Sequence, residues 1–65
     1  MSPGDWVSYK GRVYIISYRA VVGGFDKATK KTVCLLVSAP TDPTAPPRGW
    51  VPEDQLNLRP AGSIA

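Results

Sequence analysis

The chain has 65 residues, a formal net charge of +3, one cysteine and no histidine. A single cysteine excludes an internal disulfide, and a lone thiol without histidine is not a zinc-binding set. A chain this short is one domain that buries only about 60% of the surface its unfolded form exposes, so its stability must come from well-fitted packing or from association with another copy.

The first segment opens at Pro3-Gly4 and runs over residues 5–10. Its alternation sets Trp6 and Ser8 on one face and Val7 and Tyr9 on the other. Lys10-Gly11 is short enough for a tight hairpin, with glycine free to take a positive φ. Residues 12–22 form the longest segment. Tyr14, Ile16, Tyr18, Ala20 and Val22 read as one continuous apolar face, while the odd positions turn polar at Ser17 and Arg19. This is the pattern of a long, bent barrel strand that serves first one half of the wall and then the other.

Gly23-Gly24 ends that strand, and the polar residues 26–30 read as a turn. A third strand over residues 31–38 is apolar on both faces, Val33, Leu35 and Val37 against Cys34 and Leu36. It is therefore expected in the centre of the sheet or under a long loop. Residues 39–49 hold four prolines and read as a stiff cover over one end. A brief fourth strand, residues 49–51, leads into one helical turn over residues 52–56. Proline suits the first position of that turn, and the acids Glu53 and Asp54 complement its amino-terminal dipole. Residues 57–59 make the fifth strand, stopped by Pro60. No segment free of glycine and proline carries a helical period. The expectation is an all-β domain over residues 3–60, with a frayed tail at 61–65.

The order PGDWV, a tight turn into GRVYII, a central strand, then GWVPEDQLNL resembles the SH3-like small β-barrel superfold. That resemblance implies five strands, with a 3-10 turn before the last at residues 52–56. The superfold hosts peptide binders, nucleic-acid binders, methyl-lysine readers and a few oligomeric enzymes, so it does not fix a function. Type II dihydrofolate reductases are similar in size and layout, and they build a tetrameric pore from a Val-Gln-Ile-Tyr run. The stretch Gly49-Trp50-Val51-Pro52 lacks the Gln and the Tyr, which argues against that pore enzyme. Peptide-binding SH3 domains use tryptophan, proline and tyrosine opposite an acidic loop. Trp50-Val51-Pro52 resembles their Gly-Trp-Phe-Pro stretch, but the long loop here carries Lys27 and Lys30 instead of acids.

Six aromatic residues are more than the interior of a five-stranded barrel holds, so some must face solvent, where Trp and Tyr are common binding anchors. Trp6, Tyr18, Phe25 and Trp50 are the candidates. Arg12, Arg19, Lys27, Lys30 and Lys31 form a candidate basic edge, suited to phosphate contact beside stacked bases. The plainer reading of those cations is a solvated hairpin tip. Pro43 to Arg48 fits a PxxPxR ligand pattern, against a simple covering role for the loop.

No catalytic set emerges. The acids fall in turns and caps, and Cys34 has no histidine to activate it. The sequence thus points to a non-enzymatic interaction module without a cofactor. Its expected partner is a protein, including a second copy of itself, with nucleic acid as the other partner class and no membrane. The opening MSPGDW has no signal-like apolar stretch, and a single unpaired cysteine fits a reducing compartment, so the expected location is cytoplasmic.

Overall fold

The computed structural model describes residues 1–24 and 29–64. Its strands are β1 (Trp6–Tyr9), β2 (Arg12–Val22), β3 (Lys31–Ser38), β4 (Arg48–Pro52) and β5 (Asn57–Arg59), with a 3-10 turn at Glu53–Gln55 before β5. All pair antiparallel in one sheet of order β4-β3-β2-β1-β5, so β2 is the central strand, β3 lies inside the sheet between β2 and β4, and β4 and β5 are the two edges. This is the all-β, five-stranded class that the sequence predicts. Among the described residues no helix is long and apolar enough to cross a membrane.

The hairpin β1–β2 turns on Lys10 (φ 50°) and Gly11 (φ 77°). Two consecutive positive φ values are the signature of a type I′ turn, whose twist matches that of the flanking strands. β1 stops opposite Ile15, so the distal half of β2 is bonded to β3 alone. Eleven residues at about 3.3 Å each give roughly 36 Å of strand. That length accounts for the longest dimension of the molecule, 39 Å against 20 and 17 Å.

One expectation fails inside β2. The ladder with β3 skips Ser17 between Ile16 and Tyr18. Such a β-bulge places two residues opposite one and reverses the facing of everything beyond it. Tyr14 and Ile16 point into the core and are fully buried, while Tyr18, Ala20 and Val22 lie on the opposite face. The continuous apolar face read from the sequence is in fact split between the two sides of the sheet.

The core joins Val7, Tyr14, Ile16, Cys34, Leu36, Val51 and Leu56, with Ala45 closing one end. Residues 39–47 earn their proline content as a folded cover. Asp42 N–H donates to Ala39 O and Ala45 N–H to Asp42 O, two successive turns that drop Ala45 into the core. The Tyr14 hydroxyl donates to Pro46 O at 2.8 Å. Beyond β5, Ser63 N–H closes a turn onto Pro60 O, and the Thr41 hydroxyl donates to Ser63 O.

Candidate functional site

Strand pairing assigns each side chain to a face, because directly opposed residues project the same way. Tyr18 opposes Leu35, which opposes Trp50; these three form one row across β2, β3 and β4. Ala20, Val33 and Pro52 form the next row, and Val22 and Lys31 the row after it. On the other side of the aromatic row, Ile15 opposes Val37 and is flanked by Trp6 on β1. All these residues lie on the outer side of the sheet, away from Cys34, Leu36 and Val51.

Among the described residues nothing covers this side. Tyr18 is 62% exposed, Trp50 52%, Val22 50% and Val37 44%. Leu35, Val33, Ala20, Pro52 and Trp6 are half-buried between them. No acidic side chain sits among these rows, and the cations Lys31 and Arg59 fall at opposite ends. The face is apolar in the middle and charged only at its margins.

Of the predicted aromatic anchors, the fold brings Tyr18 and Trp50 together on this face and leaves Trp6 half-sunk at its border. Phe25 lies outside the described residues, as does Lys27. Sequence reasoning missed the aliphatic part of the face, Val22, Val33, Leu35 and Val37. The signal was present: a strand apolar on both sides, with no α-helix among the described residues to cover the second side.

The basic set does not converge. Arg12 is committed to Asp42, with two bonds at 2.8 Å. Arg19 is committed to Glu53 at 2.9 Å. Lys30 and Lys31 line an open cleft of about 350 Å³ whose opposite wall is the 3-10 turn with Glu53 and Asp54. A cleft with both signs of charge does not track a phosphate backbone. Lys10 and Arg48 stack against the ring of Tyr9, 5.5 and 5.6 Å from its centroid, on the inner side of β1.

Cys34 is fully buried, and burial, followed by the nearby charge of Glu53, raises its thiol above the ordinary value. A protonated thiol packed among Leu36, Val51 and Ile16 is a small core residue. The PxxPxR stretch is bent through the turn at Asp42 to Ala45, with Ala45 buried, so it does not present an extended ligand helix.

No protein-family model matches the chain, and neither a curated protein nor a solved structure matches it.

Proposed function

We propose that this chain is a non-enzymatic, SH3-like small-barrel interaction module that binds protein through the outer face of β2, β3 and β4. The observation that carries the reading is the row Tyr18-Leu35-Trp50, two exposed aromatics flanking an aliphatic floor on a rigid three-stranded support. The strand order, with the distal half of β2 continuing past β1 and a 3-10 turn between β4 and β5, supports the SH3-like assignment. Exposed apolar patches of several hundred Å² on a small domain mark interaction sites. Trp and Tyr are the side chains that most often dominate binding energy.

Protein is favoured over nucleic acid by the pairing of Arg12 and Arg19 with carboxylates and by the uncharged middle of the face. A reducing cytoplasm is the compartment that a single buried thiol suits.

The test is affinity capture from the source cell, comparing the wild type with the Tyr18→Ser, Trp50→Ser double variant. A protein held by the wild type and released by the variant supports the reading. Equal capture by both, or capture of nucleic acid that is lost on raising salt, overturns it.

A further inference from the structure

Resting on the reading of this face as a protein-binding surface, we infer that its occupant is a second copy of the chain, packed face to face about a two-fold axis. An isologous contact needs a knob and its matching hollow on the same patch. Here both exist, one row apart. Tyr18 and Trp50 stand out as the knobs, 62% and 52% exposed. The neighbouring row carries the smaller side chain on each strand, Ala20 beside Tyr18, Val33 beside Leu35 and Pro52 beside Trp50, all three half-buried, and this step down in size supplies the hollow.

The geometry of the axis follows from the register. Rows on one face are two residues, about 6.7 Å, apart along a strand, and stacked sheets sit about 10 Å apart. An axis lying between the sheets, perpendicular to the strands and level with Cys34, exchanges the two rows. It sets Tyr18 over Ala20 of the second copy, Leu35 over Val33 and Trp50 over Pro52. The same operation sets Val37 over Lys31 of the second copy and keeps the two Lys31 side chains roughly 20 Å apart, three rows of strand. The like charges that would otherwise oppose self-association of a +3 chain are thereby separated.

Area sets the strength. At about 200 Å² for a fully exposed aromatic side chain, Tyr18 and Trp50 together expose roughly 200 Å². The aliphatic rows bring the patch to roughly 400–500 Å², so two copies bury about 800–1,000 Å², the size of a weak and reversible interface. The dimer is therefore concentration-dependent.

Sedimentation equilibrium of the full chain, loaded from about 5 µM to about 500 µM, spans the dissociation constants expected of such a contact. The wild type is expected to pass from monomer to dimer in this range, with no weakening at high salt. Trp50→Ser and Ala20→Arg are each expected to raise the dissociation constant at least tenfold. Leu58→Ser, an exposed apolar residue on the β5 edge, is expected to leave it unchanged.

The register has its own check. Val37→Lys places a cation over Lys31 of the second copy and weakens the dimer, whereas Val37→Asp gains an ion pair and does not. Far-ultraviolet circular dichroism on each variant separates lost association from lost folding. A wild type that stays monomeric overturns the inference, as does a dimer broken by Leu58→Ser but not by Trp50→Ser. If a monomeric wild type still captures a protein that the Tyr18→Ser, Trp50→Ser variant releases, self-association fails while the docking face stands; if it captures nothing, both fail.

Discussion

Arg12 and Asp42 meet across 30 residues of sequence, each of two guanidinium nitrogens bonding its own carboxylate oxygen at 2.8 Å. Such a two-pronged pair fixes orientation as well as distance. The same carboxylate accepts the Val13 N–H at 3.2 Å, and Arg12 also reaches the Thr44 hydroxyl at 3.0 Å. One side chain of the proline-rich loop is thus fastened to both the backbone and the side-chain layer of β2.

That fastening is sensitive to acid. The hydrogen bonds from Arg12, and then that from the Val13 N–H, outweigh the effect of burial and hold the Asp42 carboxyl below its ordinary value of 3.8. A depressed folded-state value means that the stabilisation is complete above the ordinary carboxylate range and vanishes as pH falls through the lower value. The urea midpoint is expected to be level from neutral pH down to about pH 5 and to drop below about pH 4. Asp42→Asn should start lower at neutral pH and show a flatter acid limb; an unchanged acid limb would falsify the assignment.

Tyr14 ties the core to the same loop through its hydroxyl on Pro46 O. Tyr14→Phe keeps the ring and removes that bond, with an expected loss of about 1 kcal/mol in urea unfolding. A larger loss, on the scale of a core truncation, would mean that the ring itself had been displaced.

The type I′ turn at Lys10-Gly11 offers opposite changes at adjacent positions. Gly11→Ala forces a Cβ into the left-handed region and should cost about 1 kcal/mol. Lys10→Asn places a residue that tolerates positive φ and should stabilise by a few tenths of a kcal/mol, less the lost stacking on Tyr9. Thermal midpoints that moved in the same direction for both would contradict this account of the turn.

Cys34 has no route to solvent in the folded chain. A thiol-reactive dye should label it slowly, at a rate that climbs steeply as urea populates open forms. Immediate labelling in native buffer would show that the centre of β3 is open.

Tyr18 and Trp50 contribute little to holding the monomer together. Tyr18→Ser and Trp50→Ser, measured at low micromolar concentration, should each change unfolding free energy by no more than about 0.5 kcal/mol. Leu36→Ala, a deletion in the sealed interior, should cost about 2–5 kcal/mol and unfold most of a domain this small.

The strands were legible because valine, isoleucine and tyrosine runs are cut cleanly by glycine and proline. β2 lies between Gly11 and Gly23, Pro40 follows closely on β3, Pro60 stops β5, and the acids after Pro52 mark the 3-10 turn. The bulge at Ser17 was not legible, since apolar residues at every second position from Tyr14 to Val22 look like one uninterrupted face. Which side of a strand meets the core after a bulge is decided by partners on β3 and β4, and single-strand periodicity carries no record of them. For the same reason Trp6 and Trp50 were indistinguishable from sequence, although Trp6 lies on β1 between β2 and β5 and Trp50 on the open edge strand β4. The basic residues were read as a group, whereas Arg12 and Arg19 are each taken by an acid more than 25 positions away.

Pro52 ends β4 at the open margin of the sheet, and Pro47 stands just before its start. Proline has no N–H to offer, and within a sheet its nitrogen turns to the unbonded side. A newcomer strand would find gaps at both ends of this border, so lateral growth into a ribbon is discouraged. Copies that stack broadside come to a finished pair, and crowding the protein should yield discrete particles instead of fibres.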